Sequence, residues 1–181
     1  LFFTDKQQVY KVRLNELEDG KVAQMGIFLP GRLGMDEDEN ILSMIITGDY
    51  SGYVLFFFAG GKCAKIPLSS YATKLNRRKL LKAYCDKEPL ARMIFLPEDT
   101  ELAIRTSASR MLLVHSSQIA AKATRDSQGV SVVTLKKNQT IASVVPAETL
   151  ELANPHRYRV RSLPATGTLI RAEDEGGQMS L

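Results

Sequence analysis

The chain has 181 residues, of which 44% are hydrophobic, and a formal net charge of +4. This length suits one domain with an ample core, or a piece of a larger one. It holds no signal-like segment and no apolar run long enough to span a bilayer, so composition argues against a membrane protein. Because the sequence does not begin with Met, we expect an excised segment whose parent extends upstream.

The two cysteines, Cys63 and Cys85, form no CxxC pair and lie near no histidine cluster. Metal binding and disulfide formation are therefore unsupported. Cys63 falls in the middle of an apolar run and is interpreted as a small core side chain. This cysteine usage fits a reducing cytoplasm.

The chain opens with LFFTDKQQVYKVRLNEL, which predicts a β-hairpin. Pro30-Gly31 and Gly34 indicate turns, and the acidic residues 36–39 indicate a solvated loop. The run ILSMIIT (41–47) predicts a buried strand that completes the first unit.

The second unit begins with YVLFFFAGGKCAKIPLSSY (53–71). It predicts a strand from Val54 to Phe58, a turn at Gly60-Gly61 and a second strand that ends at Pro67. Lys62 and Lys65 are predicted on the polar side of that second strand. The link from Lys79 to Tyr84 fits either a short helix or an extended strand, and PLARMIFL (89–96) predicts the third strand.

The third unit repeats the pattern with ELAIRTSASRMLLVHSSQI (101–119) and QTIASVV (139–145). Between them, Gly129 indicates a special backbone conformation or a close approach, followed by a strand over residues 130–135. After Pro146, Arg157, Arg159 and Arg161 alternate with Tyr and Val. This predicts an edge strand with one basic face, as part of a fourth, incomplete unit or as a closing strand.

Hairpin, loop and third apolar run therefore occur three times in the same order. Val9 corresponds to Cys63, 54 positions later, and Cys63 corresponds to Met111, 48 positions later. Repetition at this period is typical of propellers and arrays, in which no unit buries its apolar face alone. We expect a single domain with units at about 1–50, 51–98 and 99–146, a partial unit at 147–172 and a disordered tail at 173–181.

Basic residues are distributed unevenly along the chain. Residues 1–50 carry five basic and nine acidic side chains. Residues 62–92 carry nine basic and two acidic side chains, and residues 101–137 carry six basic and two acidic side chains. Such concentrations attract polyanions through counterion release, although a solvated surface rich in lysine is the simpler alternative. The predicted phosphate-contacting residues are Lys62, Lys65, Lys74, Arg77, Arg78, Lys79, Lys82, Arg110, Lys122, Arg125, Arg157, Arg159 and Arg161.

Catalytic patterns are missing from the sequence. His115 and His156 stand alone, and there is no Ser/His/Asp arrangement, metal-ligand spacing or GxxxxGK[ST] phosphate loop. Tyr10, Tyr53, Tyr71 and Tyr84 lack the acidic metal cluster that DNA cleavage would need, so they are interpreted as core or rim residues. A stand-alone hydrolase is disfavoured, and a binding module is predicted, with no catalytic residue, metal or cofactor of its own.

Two segments together resemble a known family. Phe3-Thr4, Val9-Tyr10 and Val12 match the pattern F-T-x-x-G-x-V-Y-x-L, and KCAKIPLSSY matches the P-L-S-x-Y end of G-x-x-K-x-x-P-L-S-x-Y, with Lys65 one position after the lysine of that pattern. Residues Arg125, Gln128, Gly129, Val130 and Leu135 match R-x-x-Q-G-V-x-x-x-x-L. Over about residues 1–145 the chain is similar to the C-terminal domain of the A subunit of bacterial type IIA topoisomerases, DNA gyrase and topoisomerase IV.

The resemblance implies an all-β fold, a β-pinwheel of four-stranded blades that exchange strands, here about three blades plus a partial one. It implies sequence-independent binding and bending of duplex DNA by a basic blade rim. The bent segment would be presented to the upstream cleavage domain of an isomerase, an ATP-dependent type II topoisomerase that also contains an ATPase B subunit. ATP and Mg²⁺ would act elsewhere in that parent, which is expected in the bacterial cytoplasm near the nucleoid.

The sequence also departs from the family pattern. The gyrase box Q-R-R-G-G-K-G has only a degenerate counterpart in LPGRLG (29–34), and the turn glycine is replaced at Gln7 and at Ala108 or Ser109. These differences favour a topoisomerase IV-like A subunit over gyrase. The alternative from a different class is a propeller-like protein-interaction module whose basic loops bind an acidic partner.

Overall fold

The computed structural model describes residues 1–17, 20–21, 25–73 and 78–175. Its strands, in chain order, are β1 Phe2–Thr4, β2 Gln8–Tyr10, β3 Ile41–Met44, β4 Tyr53–Phe58, β5 Lys62–Pro67, β6 Lys79–Leu81, β7 Leu90–Leu96, β8 Glu101–Thr106, β9 Arg110–His115, β10 Val130–Ser131, β11 Ile141–Pro146 and β12 Thr168–Leu169. The two short helices are α1 Leu29–Leu33 and α2 Ala172–Glu175. Within the described ranges, neither helix is long and apolar enough to cross a membrane.

The three predicted hairpins are all present. They are the antiparallel pairs β1–β2, β4–β5 and β8–β9. The third apolar runs form β3, β7 and β11, and each pairs with the first strand of its own hairpin. Aromatic and β-branched residues fill these strands because such side chains pack well on a pleated surface. The structure thus confirms the repeated unit of hairpin plus third strand.

The fourth strand of each sheet comes from the following unit. Strand β6 pairs with β2, β10 pairs with β5, and β12 pairs with β9. We call β6, β10 and β12 the donated strands. In the described part of the chain, the sheets have the orders β3-β1-β2-β6, β7-β4-β5-β10 and β11-β8-β9-β12. Each blade is therefore completed by its neighbour, and the ambiguous link after Arg78 is a strand.

The turn of each hairpin holds the donated strand. Gln7, Gly61 and Ser109 occupy the same turn position with φ of 54°, 93° and 50°. Their carbonyl oxygens accept hydrogen bonds from the next unit: Ala83 N–H reaches Gln7 at 2.8 Å, and Ile170 N–H reaches Ser109 at 2.9 Å. The N–H groups of Val132 and Val133 both reach Gly61 at 2.9 Å. The expected strand over 130–135 ends at Ser131 because these two residues turn toward that carbonyl.

Two apolar layers join the three sheets. Alternate residues of a strand point to opposite faces, so one set of side chains on the middle sheet faces the first sheet and the other set faces the third. Between the first and second sheets, the ring centroids of Phe3 and Tyr71 are 5.0 Å apart, as are those of Phe56 and Tyr84. Between the second and third sheets, Phe57 belongs to a cluster of aliphatic side chains. Each buried large side chain contributes roughly 1.5–3 kcal/mol.

The partial fourth unit covers the far face of the third sheet. Tyr158 is buried there with Ala103, Met111 and Leu113. Its hydroxyl donates a 2.6 Å hydrogen bond to Asp174, which is fully buried in α2. Residues 173–175 were expected in a disordered tail, and the structure instead orders them through this bond. The rest of that predicted tail, 176–181, lies outside the described residues.

Two other strand expectations are corrected. The run 41–47 was expected to be buried, but β3 ends at Met44 and lies at the edge of its sheet, with Leu42 and Met44 exposed. The alternating arginines after Pro155 do not form a strand. Residues Pro155–Arg157 form a 3₁₀ turn and Arg159 makes a single bridge to Leu113. The closing strand is β12, further along the chain.

Gly129 should be indispensable to the second blade. It has φ of +74°, and a Cβ there would lie 2.0 Å from the carbonyl oxygen of Cys63. We expect Gly129→Ala to lower the free energy of unfolding by about 2–4 kcal/mol, because the donated strand would be pushed from its acceptor. Urea denaturation measures this. Gly26→Ala is the control, since a Cβ at Gly26 meets no atom within 4 Å; equal effects of the two substitutions would contradict the prediction.

Candidate nucleic-acid interface

The donated strands define one edge of each sheet. The residues that lead into them run beside the second strand of the accepting hairpin. Lys11 N–H donates to Arg78 O at 2.7 Å, and Lys122 N–H donates to Lys65 O at 2.8 Å. Val160 N–H donates to Leu113 O at 3.1 Å in the same way. We call residues 78–82, 121–131 and 157–169 the donated edge.

The donated edge is strongly basic. It carries eight basic side chains and one acidic one, Asp126. The strands of the opposite edge, β3, β7 and β11, carry a single charged side chain, Arg92, and the donated strands themselves also carry one, Lys79, so the basic excess lies in the segments that flank β6, β10 and β12. The structure places these residues at equivalent positions of three sheets, each beside the second strand of a hairpin. The eight basic residues are Arg78, Lys79, Lys82, Lys122, Arg125, Arg157, Arg159 and Arg161.

Several of these cations also contact protein groups. Arg78 lies 3.3 Å from Glu16, and the guanidinium of Arg159 makes two bonds to Glu101, at 2.8 and 3.2 Å. The pKa of Arg159 is raised by this carboxylate. Such exposed pairs are worth little in water, because solvent screens them, so the cations remain able to exchange partners.

Lys79 and Arg125 each lie near a tyrosine ring. Lys79 Nζ is 5.2 Å from the ring centroid of Tyr10, and its pKa is raised, chiefly by a hydrogen bond with the Tyr10 hydroxyl. The Arg125 guanidinium is 5.9 Å from the centroid of Tyr71 and donates to Ser70 O at 3.2 Å. These contacts orient the two cations at the edge.

Lys62 and Arg110 occupy equivalent positions and contact the donated segment itself. Each is the first residue of the second hairpin strand. Lys62 Nζ donates to Gln128 at 3.2 Å and to Glu88 at 2.9 Å, and Arg110 donates to Gly167 O at 2.8 Å. Both side chains thus connect a hairpin to one of the two residues before a donated strand. Both are only half-exposed.

Lys65 is corrected as a phosphate-contacting residue. Its side chain is only 4% exposed, and its Nζ lies 2.5 Å from Asp99 and 3.1 Å from Ser116 O. The cation also lies 4.2 Å from the ring centroid of Tyr53. A lysine enclosed in this way joins the second sheet to the third unit and does not reach solvent. The sequence analysis placed it outward because it is charged, although alternation puts Lys65 on the same face as Cys63, which the third unit covers.

Lys74 and Arg77 lie outside the described residues, so their position is not assigned. Conversely, the structure shows a cation that the sequence reasoning missed. Arg171 lies two residues after the end of β12, is exposed and lies 3.6 Å from Glu173. The sequence does not show that Arg171 lies near a donated strand, because β12 is recognised as one only from its pairing with β9. No motif in the sequence marks it.

Three of the four tyrosines that were interpreted as core or rim residues lie in the core. Tyr10, Tyr71 and Tyr84 are buried, and their hydroxyls donate to Glu39, Ala83 O and Thr4 O. Burial raises the pKa of Tyr71 far above its usual value. A buried, protonated hydroxyl is a poor nucleophile. In the described ranges, no group of three or more His, Cys, Asp or Glu side chains could hold a metal ion.

The three strand-exchanging sheets define the molecule as a β-pinwheel. Its fold resembles the C-terminal domain of DNA topoisomerase IV, with a TM-score of 0.75 and 20% identity over 93% of this chain and 57% of that one. The E. coli ParC C-terminal domain matches with a TM-score of 0.70 and 12% identity over 94% of this chain and 76% of that one. The predicted fold class is thereby confirmed.

Sequence relatives agree with the fold. The chain is 25% identical over 142 residues to the DNA gyrase A protein of Mycoplasma genitalium and 28% identical over 120 residues to that of Mycoplasma pneumoniae. These matches cover 78% and 66% of this chain but only 17% and 14% of the relatives. No family model matches the sequence. Together these similarities confirm the resemblance to the C-terminal domain of a type IIA topoisomerase A subunit.

The ion pair of Lys65 gives a pH-dependent prediction. Burial acts to raise the pKa of Asp99, but hydrogen bonds from Lys65 and Ser116 hold this pKa below its ordinary value. A carboxyl with a lowered pKa stabilises the fold above its unfolded pKa, and this contribution is lost as pH falls through the lowered value. We expect Asp99→Asn to lower the free energy of unfolding by about 2–3 kcal/mol at pH 7, because Lys65 stays buried without a counter-charge.

Urea denaturation between pH 7 and pH 3 measures this effect. The difference between the two proteins should shrink below about pH 4, as Asp99 of the unsubstituted chain takes up its proton. Lys65→Met is the control and should cost less than Asp99→Asn, because its apolar stem still packs against Tyr53. Equal stability of Asp99→Asn and the unsubstituted chain at pH 7 would refute the role of the pair.

Proposed function

We propose that this domain binds duplex DNA without sequence preference along the donated edge and bends it. The observation that carries the proposal is the excess of eight basic residues over one acidic residue on this edge, contributed by three successive units. Arg and Lys bind phosphates without reading bases, which suits a surface built from repeated positions. The likeness in fold and sequence to topoisomerase domains supports the same function.

Bending explains why the cations would need to be distributed over several blades. Smooth bending of a site of 20–30 base pairs costs on the order of 1–6 kcal/mol. Phosphate contacts on successive blades offset this cost only if the duplex follows the curvature of the array. Contacts on one blade alone would hold straight DNA equally well.

The parent protein is proposed to be an ATP-dependent type IIA topoisomerase. In it, this domain would present a DNA segment to the upstream cleavage domain, and the ATPase B subunit would complete the complex in the bacterial cytoplasm, beside the nucleoid. ATP and Mg²⁺ would act in those other parts. The domain itself would not cut DNA, because its described tyrosines serve the core and the edge. Both gyrase and topoisomerase IV are compatible with this parent.

A salt titration tests the DNA contact. We expect the affinity for a random duplex of about 40 base pairs to fall steeply as the salt concentration rises. A triple variant, Lys82→Ala with Lys122→Ala and Arg161→Ala, should show a shallower slope of log K against log salt. The slope should be smaller by roughly 3, one unit for each lost phosphate contact. Fluorescence anisotropy measures the affinity. Lys136→Ala with Lys137→Ala is the matched control, because both lysines are exposed in the turn before β11 on the opposite edge.

Two outcomes would contradict the proposal. The absence of any DNA binding at low salt would remove it, and equal slopes for the triple variant and the control would remove the donated edge as its site. Binding of polyglutamate in place of DNA would favour the protein-interaction module. Energy transfer between dyes at the two DNA ends separates bending from binding, because a bent duplex brings its ends closer.

A further inference from the structure

The connection between α1 and β3 carries four consecutive acidic residues, 36–39, which we call the acidic loop. The equivalent connections before β7 and β11 are residues 82–89 and 132–140. The first of these carries two basic and two acidic side chains, and the second carries two basic and no acidic ones. The repeated fold therefore does not require acidic residues at this place, and those of the first unit need another explanation.

A buried carboxylate fixes the acidic loop to the first hairpin. Glu39 is 5% exposed, and it accepts hydrogen bonds from the hydroxyls of Thr4 and Tyr10, the latter at 2.7 Å. The next residue, Asn40, donates its N–H to the Asp5 carboxylate at 2.9 Å and accepts from Asp5 N–H at 3.0 Å. Burial of a carboxylate is costly unless the group is hydrogen-bonded, so these bonds hold the loop in one position.

The acidic loop lies on the face of the first sheet that is turned away from the second sheet. Phe3 and Val9 belong to the apolar layer between these two sheets. Tyr10 follows Val9 in β2 and points the other way, and its hydroxyl contacts Glu39 on that side. Because Tyr10 pairs with Lys79 of β6, the loop reaches the donated edge at this point.

Two exposed acidic side chains of the loop contact cations of the first blade. Asp36 lies 3.9 Å from Lys79 of β6, and Asp38 lies 2.5 Å from Lys6 in the hairpin turn. The hydrogen bond from Lys6 holds the pKa of Asp38 below its ordinary value. Ion pairs between exposed side chains are weak, so a DNA phosphate can replace either aspartate. The loop thus keeps its place through buried bonds and contacts the cations through exchangeable ones.

The charge of the acidic loop acts at short range. At an ionic strength of about 0.1–0.15 M, interactions between exposed charges fall off over roughly 8–10 Å. Facing sheets are about 10 Å apart, and the loop lies beyond the first sheet, so the second and third blades are outside this range. The carboxylates of the loop therefore repel phosphate at the first blade and not at the others.

We infer that the acidic loop competes with DNA for the cations of the first blade. It neutralises Lys6 and Lys79 in the free domain. The duplex is therefore held chiefly by the second and third blades, and it reaches the first blade only where it displaces the two aspartates. This inference rests on the proposed function, and it limits the DNA contact at one end of the array.

Removal of the two aspartates tests the inference. Asp36→Asn with Asp38→Asn, the loop variant, frees both lysines and leaves the bonds of Glu39 in place. We expect the loop variant to bind the duplex of about 40 base pairs more tightly than the unsubstituted chain does. Its slope of log K against log salt should be steeper by roughly 2, one unit for each lysine that gains a phosphate. Fluorescence anisotropy measures both quantities.

The matched control is Asp49→Asn with Glu98→Gln, which changes the net charge by the same amount. Asp49 and Glu98 are exposed, follow β3 and β7 and lie at the end of the sheets opposite the hairpin turns. The control variant should have the slope of the unsubstituted chain. A control that steepens the slope as much as the loop variant does would overturn the inference, because net charge alone would then account for the gain.

A substitution of Lys79 gives a second test. Lys79→Ala should lessen the slope by roughly one unit in the loop variant. It should lessen the slope by much less in the unsubstituted chain, where Asp36 already pairs with this lysine. Lys122→Ala, at the second blade, should lessen the slope equally in both backgrounds.

The remaining outcomes separate the inference from the proposed function. If DNA binding persists but the loop variant has the slope of the unsubstituted chain, the inference is overturned and the proposed function stands. An equal loss from Lys79→Ala in both backgrounds leads to the same conclusion. Absence of DNA binding by the unsubstituted chain at low salt removes the proposed function, and the inference with it.

Discussion

The pairing of each hairpin edge with a strand from the next unit is the constraint on which this fold depends. A two-stranded hairpin leaves one row of backbone N–H and C=O groups unpaired at its edge, and burying such groups without partners is costly. The third strand of the unit covers only the first hairpin strand. The donated strand covers the second, and the turn carbonyls of Gln7, Gly61 and Ser109 fix where it ends. No unit is complete without the one that follows it.

This constraint also explains where the charge lies. A donated strand has to leave its own unit, run along the accepting hairpin and return, so the residues around it are at the periphery. Peripheral backbone tolerates long polar side chains, and arginine and lysine accumulate there in all three units. The third strands β3, β7 and β11 carry mostly apolar side chains instead. The separation of basic and apolar edges follows from the path of the chain.

The hairpins and third strands could be predicted because their apolar pattern is local and is repeated three times. The donated strands could not be delimited, because β6, β10 and β12 are two or three residues long and pair with residues of another unit. Lys65 was placed on a solvent face because of its charge, although it shares the face of Cys63, which the next blade covers. The arginines after Pro155 alternate like a strand, yet Tyr158 is buried through its bond to Asp174. Where a contact joins distant parts of the chain, sequence pattern alone does not reveal it.

The exchange of strands has a consequence for how such a protein can be divided. A piece that ends at residue 146 would contain three whole sequence repeats, yet the edge of β9 would lie bare, because Thr168 and Leu169 would be missing. Truncation at a repeat boundary therefore leaves an aggregation-prone edge, and truncation just after β10 leaves the β8–β9 hairpin bare on both sides, whereas a chain that extends past β12 keeps all three sheets. The blade, a hairpin with its third strand and the donor that follows, is thus offset from the repeat that is read in the sequence.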